Sequence, residues 1–396
     1  MGSGIAQLAA SSGCTVHLID VNREFVERGL AGIRKHLDRS VEKGRMSAED
    51  RDAAVARLRP GRSIEALKGD PDVALAIEAV VEDLSIKHGV FAALELATPA
   101  NAVLATNTSS LSVTKIAGSV RDPARVVGMH FFNPAPIMPL VEIIAGRASS
   151  ESALSIAFEA AQAWGKTPVR AKDTPGFIVN RVARGYYLEA MRLLGEGVAG
   201  VDEIDGVMRR CGGFKMGPFE LMDLIGVDVN LAVSKSVWEQ MNKNPRFTPH
   251  GIQRELVDSG RLGRKTGRGF YVHDGGSAIP AYPVHRRHFE MSPLLGDALR
   301  AFCARAEVTD AGTTERLVFA RILSAVINEA GFALSEGVAS REDIDTAMIK
   351  GTNYPKGPLA WAEQIGHRTV RGLLRGLNAT VNDGRYEPAP LFARAT

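Results

Sequence analysis

The fold is decided at the start of the chain, where residues 1–20 read MGSGIAQLAASSGCTVHLID. Gly2 and Gly4 open a helix predicted over Met1–Ser12, and a strand predicted over Thr15–Ile19 ends at Asp20. A glycine-rich helix start with an acidic strand end about 20 residues on is the second half of the fingerprint of a dinucleotide-binding βαβ unit. The first strand and first two glycines of that fingerprint are missing. We therefore expect a truncated chain, with a short Val/Ile-rich strand and Gly-x-Gly preceding Met1.

The acidic side chain of Asp20 bears on the choice of cofactor. A carboxylate at this strand end accepts hydrogen bonds from the ribose 2′-hydroxyl and repels a 2′-phosphate, which favours NAD over NADP. Arg23 follows three residues later and can hold a 2′-phosphate, so NADP stays open on this evidence. Asp20 can also serve as the N-cap of the helix predicted to start near Asn22.

Short β-branched runs alternate with helical patterns through residues 1–174. Strands that alternate with helices predict a mostly parallel, doubly wound sheet. We therefore expect a Rossmann-like α/β domain over 1–174 that lacks its first strand. The further predicted elements are helices over Asn22–Lys43 and Ile86–Leu96, and strands over Val73–Val81, Ala102–Ala105, Val126–Met129 and Leu140–Ile144.

The rest of the chain has a helical pattern and contains an internal repeat. A long helix is predicted over Phe177–Gly195. Residues Arg181–Gly226 and Arg321–Gly366 align without a gap at an offset of 140, with 15 identities in 46 positions. Such a match indicates two copies of one helical module packed on each other, with two unrelated helix pairs of similar caps as the alternative. We predict all-α domains over 175–275 and 311–396, joined by a linker region over 276–310.

The composition argues against several classes of protein. The 48 basic and 45 acidic side chains give a net charge of +3 and no broad basic field for nucleic acid. No apolar run approaches the length of about 20 residues that a membrane span needs. Cys14, Cys211 and Cys303 are odd in number and far apart, which favours thiols in a reducing compartment over disulfides or a zinc site. We expect a cytoplasmic protein without a metal.

Six short sequence motifs lie within the first 275 residues. They are Ile77–Asp83 (IEAVVED), Ala105–Leu111 (ATNTSSL), Gly128–Pro134 (GMHFFNP), Met138–Glu142 (MPLVE), Asp173–Arg181 (DTPGFIVNR) and Lys265–Tyr271 (KTGRGFY). In order and spacing they resemble the L-3-hydroxyacyl-CoA dehydrogenase family. The second helical copy and the ending GRYEPAPL (Gly384–Leu391) resemble its bacterial 3-hydroxybutyryl-CoA and 3-hydroxyadipyl-CoA branch, in which the C-terminal domain is duplicated. The segment between the copies is shorter than is usual there.

The resemblance implies an enzyme that interconverts 3-hydroxyacyl-CoA and 3-ketoacyl-CoA by hydride transfer to NAD. It implies that His130 is the base that takes the hydroxyl proton. Glu142 follows twelve residues later, across a proline-rich turn, and its carboxylate can return to the imidazole and fix the tautomer. The resemblance also implies that Ser109 binds the substrate oxygen near the nicotinamide, and that Asn180 polarises the substrate carbonyl.

The residues alone leave structural alternatives open at these positions. His130 by itself reads as a structural histidine, and Ser109 as a helix N-cap, a role that Ser110 can fill equally. Asn180 by itself reads as a polar residue that satisfies the backbone near a helix start. Ala320 stands at the repeat position paired with Asn180, so the second copy carries no catalytic set of its own.

Further contacts to the cofactor and to CoA follow from the resemblance. It implies that Glu82 and Lys87 lie near the nicotinamide ribose and Asn133 at the nicotinamide end. The full set of implied cofactor contacts is Gly2, Asp20, Glu82, Lys87, Ser109, Asn133 and Lys265. The resemblance also implies three contacts to the substrate. Lys43 lies near the CoA nucleotide, and Ser109 and Asn180 contact the acyl part. The basic neighbours of Lys43 suit CoA phosphates and are Arg34, Lys35, Arg39 and Arg45. Taken alone, Lys43 and Lys87 each read as solvated surface charges.

The expected substrate is a short or polar 3-hydroxyacyl-CoA of fatty-acid or aromatic-acid degradation, and the expected assembly is a homodimer through the helical domains. Two other readings stay open. The first is a catalytically impaired scaffold or binding protein on the same fold, which the missing glycine loop favours. The argument against it is the complete catalytic set, which consists of Ser109, His130, Glu142 and Asn180. The second is a related 3-hydroxy-acid dehydrogenase that acts on a free acid. The HFFNP motif and the duplicated C-terminal domain argue against it.

Overall fold

The computed structural model describes residues 1–274, 276–287, 289 and 291–393. The chain forms two compact units, Met1–Thr174 and Pro175–Thr396. The first unit is α/β, and the described part of the second is helical apart from one small antiparallel strand pair. The predicted fold class is therefore confirmed.

Six helices and seven strands make up the first unit. The helices are α1 (Gly2–Ser11), α2 (Arg23–Glu42), α3 (Ala48–Arg57), α4 (Leu84–Ala97), α5 (Val113–Ala117) and α6 (Glu151–Ala163). The strands are β1 (Val16–Leu18), β2 (Leu58–Pro60), β3 (Leu75–Glu78), β4 (Val103–Thr106), β5 (Val126–Phe131), β6 (Leu140–Ala145) and β7 (Thr167–Lys172). Short 3-10 helices cover Glu65–Leu67 and Pro123–Arg125.

Five strands form one sheet in the order β3-β4-β5-β6-β7, in which every neighbouring pair is parallel except β5 with β6. Strands β1 and β2 pair in parallel as a separate two-stranded sheet. The predicted mostly parallel sheet is confirmed, and the elements α3, α5, α6, β2 and β7 were not predicted from the sequence. The strand expected upstream of Met1 stays a prediction.

The central strands of the five-stranded sheet are continuous apolar runs, as expected for strands that are buried on both faces. All residues of β4 and β5 are buried, and so are the first five of β6. Helices α1 and α6 pack on the sheet in one cluster that includes Ile5, Ala157 and Trp164. Helix α2 turns its apolar stripe, which includes Leu30 and Ile33, to α1 and α3.

The strand ends place the polar residues of this unit along one edge. The parallel strands β3, β4 and β5 end at Glu78, Thr106 and Phe131, and parallel strands bring their carboxyl ends to the same edge. The side-chain oxygen of Asn107 accepts the N–H of Phe131 at 2.9 Å, which ties the ends of β4 and β5 together. Any ligand at this edge meets loops that are held by the sheet.

Twelve helices and two strands form the described part of the second unit. The helices are α7 (Val179–Val182), α8 (Arg184–Gly195), α9 (Val201–Gly212), α10 (Pro218–Ile225), α11 (Val227–Gln240), α12 (Gly251–Asp258), α13 (Pro293–Arg305), α14 (Thr313–Ser335), α15 (Arg341–Thr352), α16 (Pro358–Ile365), α17 (His367–Val381) and α18 (Pro390–Ala393). Strands β8 (Tyr271–Asp274) and β9 (Ser277–Pro280) are antiparallel. Short 3-10 helices cover Pro245–Phe247 and Arg264–Thr266.

The single helix predicted over Phe177–Gly195 is wrong, because the structure has the two helices α7 and α8 there. Phe177 has a φ of 48°, a left-handed conformation that no α-helix contains, so the helix begins only at Val179. The second break falls at Ala183, just before α8 approaches α14. A Cβ on Gly185 would lie 2.9 Å from the backbone of Ala325 in α14, which shows how closely the two backbones approach.

The region predicted as a linker, 276–310, contains a packed helix. Leu295, Leu299 and Phe302 of α13 recur at helical spacing and are buried, with α13 in contact with α14 and α17. Pro293, one of the residues that suggested a linker, is the first residue of α13. Proline fits there because the first N–H groups of a helix have no partner within it.

The two helical copies pack on each other through equivalent charged residues. Each copy supplies a buried arginine that binds two glutamates of the other copy, at positions that differ by the repeat offset of 140. The ion pairs, with N–O distances of 2.5–2.7 Å, are Arg181 with Glu329 and Glu336, and Arg321 with Glu189 and Glu196. This exchange relates the copies by an approximate twofold axis, as in a symmetric dimer, and the alternative of two unrelated helix pairs does not account for it.

Helix α14 differs from the expectation that no apolar run approaches the length of a membrane span. It has 23 residues and a mean hydropathy of 1.6 over its most apolar window. However, 83% of that window is buried inside the second unit, and the helix carries the buried ion-pair residues Arg321 and Glu329. Packing against the other helices accounts for its apolar character.

Candidate active site

The central feature of the first unit is a buried histidine–glutamate pair. His130 on β5 and Glu142 on β6 stand opposite each other in the antiparallel register, and Nδ1 of His130 lies 2.6 Å from Oε2 of Glu142. His130 is 4% exposed and Glu142 is fully buried. A carboxylate at Nδ1 fixes a proton on that nitrogen, so the imidazole presents Nε2 as its basic atom.

Ser109 lies at the other nitrogen of the imidazole. Its Oγ is 3.2 Å from Nε2 of His130, and the residue is exposed on the loop that follows β4. The alternative that Ser109 or Ser110 caps the next helix is wrong. Helix α5 has Ser112 as its N-cap, whose hydroxyl oxygen accepts the N–H of Lys115.

Glu82 holds the loop that carries Ser109. Its Oε1 accepts the hydroxyl of Thr108 at 2.6 Å and the N–H groups of Ser109 and Ser110 at 2.9 and 3.0 Å. Burial acts to raise the pKa of Glu82, but the hydrogen bond from Thr108 and the charge of Lys87 outweigh it and hold the pKa below its usual value. Glu82 is therefore an ionised acceptor at neutral pH.

Lys87 is fully buried, so its reading as a solvated surface charge is wrong. Its Nζ lies 2.8 Å from Oε1 of buried Glu78 and 3.2 Å from Oε2 of Glu82. Only Glu82 of these three side chains is appreciably exposed, at 36%. The expected contacts of Glu82 and Lys87 with the nicotinamide ribose stay a prediction, and Glu82 is the residue of the two that is open to solvent.

The first turn of α1 carries no anionic side chain. The helix has no side-chain cap at Met1 and no acidic residue in its first turn, so nothing competes with an anion for the positive end of the helix dipole. Gly2 lies beside the end of β3, where an added Cβ would be 3.8 Å from that of Ala79. An added Cβ on Gly4 would come within 3.2 Å of Pro136, so this turn packs closely on the loop after β5.

Asp20 is exposed just beyond the end of β1. Its Oδ1 accepts the N–H of Val21 at 2.8 Å. The alternative that Asp20 caps α2 is wrong, because the N-cap is Asn22, whose side chain accepts the N–H of Phe25. The Asp20 carboxylate thus lies outside the helix cap and is exposed at the carboxyl end of β1.

Two further predicted contact residues of the first unit lie at its surface. Asn133 is exposed in the loop between β5 and β6. Lys43 is the exposed C-cap of α2. The preceding turns of α2 line a surface depression with three of the predicted basic neighbours, Arg34, Lys35 and Arg39, together with the acidic Asp38 and Glu42.

The remaining predicted residues belong to the second unit. Asn180 lies in α7, and its backbone oxygen accepts a hydrogen bond from Nε of Arg184 at 2.9 Å. Lys265 lies in the short 3-10 helix before β8, and its Nζ is 2.5 and 2.7 Å from the two carboxylate oxygens of Asp228. Asp228 therefore fixes the direction of the Lys265 ammonium group.

Buried residues behind this site were not predicted from the sequence. Glu78 Oε2 accepts the hydroxyl of Thr106 at 2.7 Å, and Oε1 accepts the N–H of Val80 at 2.7 Å. Together with Lys87 these donors fully engage a carboxylate that is 3% exposed as a residue. The available signal is an acidic residue inside the otherwise apolar run from Val73 to Val81, a place where burial requires partners.

A dinucleotide-binding α/β unit with a buried His–Glu pair beside an exposed serine, followed by a helical unit, defines a dehydrogenase of the Rossmann class. The chain belongs to the 3-hydroxyacyl-CoA dehydrogenase family. The family's NAD-binding domain matches residues 1–174, and its C-terminal domain matches residues 176–273 and 317–396. The last range coincides with the second helical copy.

Known relatives agree with this assignment. The chain is 39% identical to 3-hydroxyadipyl-CoA dehydrogenase of Escherichia coli K12, over 99% of this chain and 94% of that protein. It is also 39% identical to a probable 3-hydroxybutyryl-CoA dehydrogenase of Bacillus subtilis, over 69% of this chain and 94% of that protein. The crystal structure of 3-hydroxybutyryl-CoA dehydrogenase from Escherichia coli K12 superposes with a TM-score of 0.87 at 37% identity, covering 100% of this chain and 95% of that one. The predicted family, NAD cofactor and NAD-dependent 3-hydroxyacyl-CoA dehydrogenase reaction are confirmed.

Proposed function

We propose that the enzyme interconverts short-chain (3S)-3-hydroxyacyl-CoA and 3-ketoacyl-CoA with His130 as its acid–base residue. The observation that carries this proposal is the geometry around one imidazole. Nδ1 lies 2.6 Å from the buried carboxylate of Glu142, and Nε2 lies 3.2 Å from the hydroxyl of Ser109. A general base needs one nitrogen fixed by a partner and the other directed to a reacting hydroxyl.

The proton steps follow from this geometry. In the oxidation, Nε2 of His130 accepts the proton of the C3 hydroxyl as the hydride leaves C3, and Glu142 stabilises the imidazolium through its Nδ1–H. Ser109 hydrogen-bonds the same substrate oxygen, and Asn180 stabilises the carbonyl form. Bound NAD supplies the hydride acceptor. In the reduction, the imidazolium returns the proton to the oxygen on C3.

The proposed NAD contacts are those that the family resemblance implies for individual residues. The N-terminus of α1 at Gly2 would bind the pyrophosphate, and Asp20 would bind the adenosine ribose. Glu82 would reach the nicotinamide ribose, with Lys87 behind it. Asn133 and Lys265 would hold the nicotinamide end.

The substrate is proposed to be a short or polar acyl-CoA. The relative matched over nearly the whole chain is named for 3-hydroxyadipyl-CoA, and the relative that matches 69% of it is named for 3-hydroxybutyryl-CoA. The basic residues Arg34, Lys35 and Arg39 line one depression on α2, and Lys43 ends that helix. Guanidinium and ammonium groups at this density suit the phosphates of CoA.

The test is a substrate panel of acetoacetyl-CoA, 3-ketoadipyl-CoA and longer 3-ketoacyl-CoAs with NADH. We expect turnover of the two short or polar substrates and its loss in His130→Gln. Because general-base catalysis is worth about 10²–10⁴-fold, the variant should lose that factor in kcat while NADH affinity is spared. Activity on free 3-keto acids without CoA would instead favour a free-acid dehydrogenase, and NADH binding without turnover would favour a scaffold.

We further propose a cytoplasmic homodimer that associates through the helical unit. The buried faces around Arg181 and Arg321 are occupied within one chain, so this association would use another face. Light scattering on the purified protein should give twice the chain mass of 42.4 kDa. A mass equal to one chain would contradict the dimer.

A further inference from the structure

Behind the candidate active site lies a fully buried ion pair. The side chains of Glu78 and Lys87 are both 0% exposed, with Nζ 2.8 Å from Oε1. Removing two charges from water costs several kcal/mol each, and an ion pair repays this only with good geometry and further hydrogen bonds. Glu78 has these bonds, from the hydroxyl of Thr106 and the N–H of Val80. The proton and hydride transfers proposed above use neither charge.

The pair continues outward through one more carboxylate. Nζ of Lys87 also lies 3.2 Å from Oε2 of Glu82, whose side chain is 36% exposed. The two oxygens of Glu82 have different partners. Oε2 faces the lysine, while Oε1 faces the loop after β4. Glu82 is therefore the link between a buried anchor and an exposed loop.

The loop in turn carries the residue that meets the imidazole. Oε1 of Glu82 accepts the hydroxyl of Thr108 and the N–H of Ser109, and the Thr108 oxygen accepts the N–H of Leu111 at 2.9 Å. Oγ of Ser109 lies 3.2 Å from Nε2 of His130. A chain of contacts thus runs from Glu78 through Lys87 and Glu82 to Ser109.

We propose that Glu78 and Lys87 are positioning residues that set Ser109 against His130 through Glu82. Lys87 then acts on the reaction through the serine loop, separately from the ribose contact that the resemblance implies for it. The loop has no regular structure between β4 and α5, so side-chain hydrogen bonds hold its backbone, and those of Glu82 reach Ser109 itself. Because a shift of about 1 Å in a reacting group can cost about 10²-fold in rate, such an anchor matters to turnover. This inference rests on the proposed function of His130 and Ser109.

A double-mutant cycle in turnover tests the proposal. Lys87→Met should lower kcat about tenfold in the wild-type background and less than about twofold in the Ser109→Ala background, because both changes act on the same contact. KM for NADH measures the ribose contact separately, and the proposal requires a loss in kcat beyond any change in that KM. Equal losses in both backgrounds, or a loss confined to KM for NADH, would overturn the proposal.

Controls separate positioning from stability. Lys87→Met leaves Glu78 buried without its cation, so the double variant Glu78→Gln/Lys87→Met removes both charges and serves if the single variant does not fold. Arg125→Met is the matched control. Arg125 is another buried cation of the same unit, bound to the Pro99 carbonyl at 2.9 Å before the start of β5. The Arg125→Met variant should be less stable, and it should change kcat by the same factor in the wild-type and Ser109→Ala backgrounds.

A second measurement does not depend on turnover. In ¹⁵N-labelled protein, the Nε2 resonance of His130, assigned with His130→Gln, should move in Lys87→Met in the same direction as in Ser109→Ala. Arg125→Met should leave it in place. If wild-type protein fails to turn over any substrate, the proposed function fails, and this resonance still tests the anchor. An unchanged resonance in folded Lys87→Met would overturn the inference.

Discussion

Arg181 and Arg321 occupy equivalent positions in the two helical copies, and each binds glutamates of the other copy. Arg181 binds Glu329 at 2.6 Å and Arg321 binds Glu189 at 2.6 Å, with both guanidinium groups essentially buried. The helical unit of one chain therefore has the reciprocal contacts of a symmetric dimer interface. The second copy has Ala320 where the first has Asn180, and its buried ion pairs pack it on the first copy.

Arg321→Met should strongly destabilise the second unit. The change leaves the fully buried Glu189 without its principal cation, and breaking a buried ion pair from one side costs about 3–5 kcal/mol. Urea unfolding followed by fluorescence measures the loss. Arg300→Met, which removes an exposed pair with Asp297, is the control and should cost less than about 1 kcal/mol. Equal losses in the two variants would show that the buried contact contributes nothing special.

Acid should weaken the same contact. Burial acts to raise the pKa of Glu189, but the charges of Arg321 and Arg192 outweigh it and lower the pKa to about 2. A folded-state pKa below the unfolded value gives stability that is present above the unfolded pKa of 4.5 and lost as the pH falls toward 2. Unfolding free energies at several pH values between 6 and 3 should fall for the wild type. The Glu189→Gln variant, which is less stable at pH 6, should show a shallower fall.

Periodicity predicts much of the fold because the buried strands are continuous apolar runs. Strands β4 to β6 and the long amphipathic α2 lie within a few residues of their predicted bounds. The contact between His130 and Glu142 is also foreseeable, since a turn between two adjacent strands returns the second strand to the first. The late start of the helix predicted from Phe177 is not foreseeable, because it depends on the positive φ of Phe177.

The partners of Lys87 lie beyond what periodicity can show. A lysine on a helix reads as exposed unless its partners are known, and Glu78 is supplied by the end of another element nine residues earlier. Thr106, which completes the environment of Glu78, comes from a neighbouring strand 28 residues away. Only the parallel pairing of β3 with β4 brings these side chains together.

Glu142→Gln should lower kcat about 10²–10⁴-fold, because the imidazolium loses its counter-charge and the amide no longer dictates the Nδ1–H tautomer. Binding of NADH should be little changed, since Glu142 is fully buried and its carboxylate bonds to the imidazole of His130. Steady-state rates and fluorescence titration with NADH measure the two effects. The double variant His130→Gln/Glu142→Gln should be no slower than His130→Gln by more than about threefold, because the two residues act as one unit. Fully additive losses would mean that Glu142 acts on something other than His130.

Asp20→Ala should weaken NADH binding and narrow the preference for NADH over NADPH. The carboxylate is exposed beyond β1 and does not cap α2, so its removal takes away a ribose acceptor and a charge that repels a 2′-phosphate. Loss of a hydrogen bond to a charged group, about 1.5–3 kcal/mol, corresponds to a rise of about 10–100-fold in Kd for NADH. Asn22→Ala is the matched control, because it removes the actual N-cap two residues away and should cost about 1 kcal/mol of stability with no change in the NADH to NADPH ratio. Titrations of both variants with both cofactors distinguish the roles, and an unchanged ratio in Asp20→Ala would exclude Asp20 from cofactor selection.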